Sequence, residues 1–131
     1  MTMAMRRLYI CFITAFWGVT PMAAGAAEDR AAHLAEAARD CKAIHDIVAD
    51  LDGNTADDTA QLYAQSTRLG DLYQGLSGLS DAALIDEMDA ARARIRSLDF
   101  TDTAYRDMAR ACATDVDTAI AEARAAGVNL P

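Results

Sequence analysis

A chain of 131 residues with 24% charged side chains and a formal net charge of −8 is long enough to bury one modest core, so a single domain is expected. The acidic balance disfavours nucleic acid and anionic membrane as partners and favours cationic or neutral ones. With two histidines in all, general acid–base catalysis has few candidates.

The amino terminus carries the strongest pattern. Arg6 and Arg7 are the only charges before Glu28, and a nearly unbroken apolar stretch runs from Leu8 to about Val19, where Thr20-Pro21 breaks it. Met22-Ala23-Ala24-Gly25-Ala26-Ala27 follows, all small residues after the first. A charged start, a short apolar segment and a small-residue site together make a secretory signal. Cleavage is expected after Ala26, or alternatively after Ala27, which divides the chain into a signal at 1–26 and one helical-bundle domain at 27–131. A membrane anchor is the competing reading. About 12 apolar residues, however, cover only about 18 Å of a hydrocarbon core about 30 Å thick. Arg6-Arg7 before Leu8-Tyr9-Ile10 faintly resembles a twin-arginine signal, but paired arginines are commoner in signals for general secretion. Cys11 lies inside the apolar segment rather than after a lipobox, so no lipoprotein is expected.

Removing this segment takes two positive charges and no acid from a chain of −8, leaving −10. No second hydrophobic segment follows, so the product is expected in the bacterial periplasm with no membrane contact after cleavage. Of the three cysteines, Cys41 and Cys112 remain. An even pair in an oxidising compartment implies one disulfide, closing a loop of about 70 residues and worth about 4 kcal/mol on the chain-entropy argument.

The remainder is rich in Ala and poor in β-branched and aromatic residues, with apolar positions recurring at three and four, as in amphipathic helices. The first stripe is Leu34, Ala37 or Ala38, Cys41, Ile44, Val48 and Leu51, ended by Gly53-Asn54. Thr55 with Asp58 has the form of a capping box and opens a second helix striped by Leu62, Ser66, Leu69, Leu72 or Tyr73, and Leu76. Ser66, Thr67 and Gly70 interrupt it, so it is expected to be the weakest, and 75–78 is expected to be a loop. Ser80 is an N-cap, with Leu79 and Leu84 placed as a staple, and a third stripe runs Leu84, Met88, Ala91, Ile95 and Leu98. Thr101 caps a fourth helix, with Phe100 and Tyr105 as its staple. Its stripe is Tyr105, Met108, Cys112, Val116, Ala119 or Ile120, and Ala123, and Gly127 ends it before a short tail.

Four such helices with short loops predict an all-α, up-down-up-down four-helix bundle. Cys41 lies about 10 residues, or about 15 Å, below the end of the first helix, and Cys112 lies about as far from the start of the fourth. The cysteines thus share a level on neighbouring helices, and the disulfide joining helices 1 and 4 supports the topology. The echo of Ala38-Arg39-Asp40-Cys41 in Ala109-Arg110-Ala111-Cys112 is read as chance in an Ala- and Arg-rich chain.

Two site hypotheses follow from helical spacing. Cys41, His45, Met108 and Cys112 are placed to converge between helices one and four, and as thiolates, imidazole and thioether they suit a soft ion such as Cu(I) or, less well, Zn(II). A disulfide would remove both thiolates, and His45 is placed on the flank of its stripe. Arg92, Arg96, Arg106 and Arg110 form a candidate basic face for a carboxylate or phosphate. Asp99, Asp102 and Asp107 stand three or four residues from Arg96, Arg106 and Arg110, spacing that absorbs charge as helical ion pairs.

Other chemistry finds no support. There is no C-x-x-C-H haem attachment site, no Glu-x-x-His di-metal pattern, no calcium loop at 50–54, and no serine with a histidine at a readable spacing. No cofactor is expected. Tyr63, Tyr73 and Tyr105 are read as edging the core. The expected function is therefore a small exported, non-catalytic bundle that binds a periplasmic protein, in the manner of an inhibitor, immunity factor or adaptor. The alternative is a soft-metal binding protein.

Overall fold

The computed structural model describes the backbone of residues 3–131 and the side chains of residues 25–131. It contains four helices, α1 (Met3–Ala49), α2 (Ala56–Ser77), α3 (Asp81–Arg96) and α4 (Asp102–Ala125), with no strand among the described residues. The expected signal, residues 1–26, lies almost wholly outside the described side chains. No described helix is long and apolar enough to cross a membrane.

Cross-helix pairs establish the direction of each element. On α2, Tyr63 bonds Asp50 and Ser66 bonds Asp46, so rising numbers on α2 meet falling numbers on α1. On α4 the same reversal holds, since Arg106 bonds Asn54, Cys112 is joined to Cys41 and Glu122 pairs with Arg30. On α3, Arg92 pairs with Asp46 and Arg96 with Asp50, so α3 runs with α1. The result is the up-down-up-down four-helix bundle, with the Cys41–Cys112 disulfide joining α1 and α4.

The bundle is organised around α1, against which each of the other three helices packs. One apolar cluster joins Ala43, Ile44, Ile47 and Val48 to Met88, Ala91 and Ile95 of α3 and to Tyr105 and Ala109 of α4. The other joins Leu34, Ala38 and Cys41 to Leu69 and Tyr73 of α2 and to Val116, Ala119 and Ala123 of α4. Cys112 packs against both, so the disulfide sits where the two clusters meet.

Most helix ends follow the local chemistry. Thr55 and Asp58 make the reciprocal capping box, and the hydroxyls of Ser80 and Thr101 accept from the third residue of α3 and α4. Phe100 and Tyr105 meet edge to face at 5.7 Å. At the end of α4, Gly127 takes a φ of 85° and the Val128 N–H donates to the Ala123 carbonyl, closing a Schellman-type end.

Other boundaries depart from the sequence reading. α1 stops at Ala49 rather than at Gly53-Asn54, because the Asn54 side-chain amide reaches back to the carbonyls of Val48, Ala49 and Leu51 and satisfies the helix end from outside. Residues 75–77 are helical and not a loop; only Gly78, with φ 69° and its N–H on the Gln74 carbonyl, forms the cap. α2 is continuous and uninterrupted. Its Ser66 is buried in hydrogen bonds, and its Gly70 leaves the room that the Lys42 side chain takes, since a Cβ there would lie 3.1 Å from Lys42 Cδ and Cε. Leu98 was expected on the third stripe but is 59% exposed. α3 ends at Arg96, and Asp99 with φ 53° turns the chain away before α4.

Candidate functional site

Because α2 and α4 pack on α1 more than on each other, a cleft of about 480 Å³ opens between them over α1. His45 and Val48 of α1 form its floor. Asp58, Gln61, Leu62 and Gln65 of α2 make one wall, and Arg106, Ala109 and Arg110 of α4 make the other. Convergent polar groups over a partly apolar floor are the usual make-up of a binding cleft.

His45 is buried, at 4% exposure, and not on the flank of its helix as the sequence spacing suggested. Its Nδ1 lies 2.8 Å from the Cys41 carbonyl oxygen and donates to it. That leaves Nε2, without a protein hydrogen bond among the described residues, as the ring atom open to the cleft. The same Nδ1 stands 3.5 Å from Cys41 Sγ and 3.8 Å from Cys112 Sγ. Cys41, His45 and Cys112 therefore converge, all within 4.8 Å. Met108, the fourth member of the sequence-derived set, is half-buried against the cluster of α1 and α3. The two sulfurs are bonded to each other, so neither is a thiolate in this state.

The four arginines do not share a face. Arg92 pairs with Asp46 of α1 at 2.9 Å and with Asp89 of α3, and Arg96 lies 3.8 Å from Asp50 just past the end of α1, so both turn to the acids on that side. Arg106 and Arg110 line the cleft instead. Arg106 donates to Asn54 Oδ1 at 2.6 Å and to the Asp52 carbonyl at 2.9 Å, where an ion pair with Asp102 was expected. Arg110 keeps its expected partner Asp107, but at 3.7 Å and largely exposed. Helical spacing locates a charge along an axis; the rotation of α3 and α4 about their axes sends the two pairs to different sides.

Asp58 lies at the cleft edge with its pKa lowered, chiefly by the Thr55 backbone N–H and then by the Thr55 hydroxyl, with the Arg106 guanidinium adding to the effect. The Tyr63 phenol donates to Asp50, and that bond and the charge of Asp50 push its pKa up. Tyr73 and Tyr105 are buried, and the Tyr105 hydroxyl donates to the Ile95 carbonyl.

One cluster escaped the sequence reading. Asp46 accepts from the Ser66 hydroxyl and from Arg92, and stands 3.7 Å from Lys42 Nζ, which also donates to Ser66 Oγ at 2.8 Å. The i,i+4 pair Lys42–Asp46, with a serine on the facing stripe, was the available signal. Gln61 and Gln65 of the cleft gave none. Comparison with protein-family models, curated proteins and solved structures returns no match.

Proposed function

We propose that the chain is exported through a cleavable signal at residues 1–26 and acts in the periplasm as a non-catalytic bundle that binds another protein through the α2–α4 cleft. The observation that carries this reading is the cleft itself. Arg106, Arg110, Gln61 and Gln65 converge over His45 and Val48, offering donors to a partner segment that carries carboxylate or amide groups. The disulfide suits the oxidising compartment that the export signal implies. Arg106 already holds the 50–55 loop, so Arg110 is the cleft cation with the weaker commitment.

The test is capture from a periplasmic extract by the signal-cleaved protein and by Arg110→Glu and Gln65→Glu variants, both at exposed positions. The expected result is a partner retained by the unmodified protein and lost with each charge reversal or added acid. Identical recovery with all three, or no partner at all, overturns the assignment of the cleft. Intact mass of the exported protein checks the processing step, and retention of residues 1–26 would refute it.

A further inference from the structure

We propose that the Cys41–Cys112 disulfide masks a soft-metal site, and that reduction by a dithiol donor frees Cys41, Cys112 and His45 as a three-ligand site for Cu(I). The inference is independent of the partner-binding reading. It stands on the placement of a buried imidazole beside both sulfurs, with Nδ1 at 3.5 and 3.8 Å from them. Metal–sulfur and metal–nitrogen bonds of about 2.3 and 2.0 Å spread at about 120° hold sulfur and nitrogen about 3.7 Å apart. The observed pair of distances brackets that value. Two rearrangements are needed. The two sulfurs separate to about 4 Å, within reach of side-chain rotation while the Cα atoms stay 5.5 Å apart. The imidazole turns to aim Nδ1 away from the Cys41 carbonyl and toward the ion.

The chemistry balances as thiol–disulfide exchange followed by ligation. Cys41 is fully buried and Cys112 only partly, so the donor thiolate attacks Cys112 Sγ. A mixed disulfide forms, and Cys41 leaves as thiolate and takes up a proton. The donor's second thiolate then displaces Cys112, and the donor departs as its own disulfide. Two electrons and two protons have entered the pair. Cu(I) binding releases the two thiol protons, while the imidazole moves its proton from Nδ1 to Nε2 and exchanges its hydrogen bond to the Cys41 carbonyl for a metal bond. Two thiolates and one imidazole favour a soft ion, and three ligands satisfy Cu(I) where Zn(II) wants four. No carboxylate joins the group among the described residues.

The experiment uses the signal-cleaved protein, oxidised or reduced with a phosphine that is then removed under argon. Each form is titrated with Cu(I) against a chromophoric chelator. The expected result is one equivalent bound by the reduced protein and none by the oxidised. X-ray absorption should show two sulfur neighbours and one nitrogen. His45→Ala should lose the nitrogen and weaken binding by about tenfold or more, since even an outer partner of a ligand is worth that much. Met108→Leu should leave both readouts unchanged. Circular dichroism guards against misfolding: the reduced protein with Cu(I) must be as helical as the oxidised one. Copper binding by the oxidised form, no binding by the reduced form, an unaltered spectrum in His45→Ala, or a reduced protein that copper leaves unfolded would each overturn the proposal.

Discussion

Asp46 accepts from Ser66 of α2 and Arg92 of α3 and stands beside Lys42 of its own helix, so one carboxylate ties three elements together. Its side chain and those of Arg92 and Lys42 are 15%, 24% and 17% exposed, which weakens solvent screening of the cations if the acid is lost. Asp46→Ala is expected to cost about 2–3 kcal/mol, somewhat under the figure for breaking a fully buried pair, read as a lower urea midpoint. At the exposed start of α2 the expected signature is pH dependence instead. The pKa of Asp58 is lowered by its bonds to Thr55, so its contribution to stability is complete above the unfolded carboxylate value of 3.8. That contribution disappears as pH falls through the lower folded value. Unfolding midpoints compared across this acid window should fall more steeply for the unmodified protein than for Asp58→Asn.

At the scale of elements, the bundle depends on how its helices are ended and linked. Asn54 serves two at once: its amide caps the carbonyls at the end of α1, and its Oδ1 accepts from Arg106 of α4. Asn54→Ala removes both, and a loss of about 1–2 kcal/mol is expected from the unmade bonds. Thermal or urea unfolding will report it, and an unchanged midpoint would show that water replaces the amide without cost. Gly78 closes α2 in the left-handed region with φ 69°. Open space surrounds its missing Cβ, so backbone strain alone opposes a side chain there. Gly78→Ala should therefore destabilise by about 1 kcal/mol. Gly75 differs, since a Cβ would come within 2.6 Å of Pro131 and push the carboxy-terminal tail off the end of α2.

For the whole molecule, the disulfide matters because of where it lies. Cys112 touches both apolar clusters, and the bridge spans 71 positions, so reduction releases a long loop in the unfolded chain. The expected loss is about 4 kcal/mol on the chain-entropy argument. Urea unfolding with and without reductant should show a lower midpoint and a larger m-value in the reduced protein, because the uncrosslinked chain exposes more surface. A midpoint insensitive to reductant would mean that the two clusters hold the bundle without the bridge.

Legible from the chain alone were the number of helices, the caps at Thr55, Ser80 and Thr101, the glycine end at Gly127, and the shared level of Cys41 and Cys112. Each of these depends on residues a few positions apart or on rise along a helix axis, and both are set by local backbone geometry. Tertiary packing alone settled that Ser66 and Gly70 help α2 pack where they looked like interruptions, that His45 is buried and does not flank its stripe, and that the four arginines part into two pairs. It also decided that α2 and α4 leave a cleft between them. These outcomes turn on the rotation of each helix about its own axis and on its distance from α1. Packing sets both quantities, and each packing interface is built from side chains far apart in the chain.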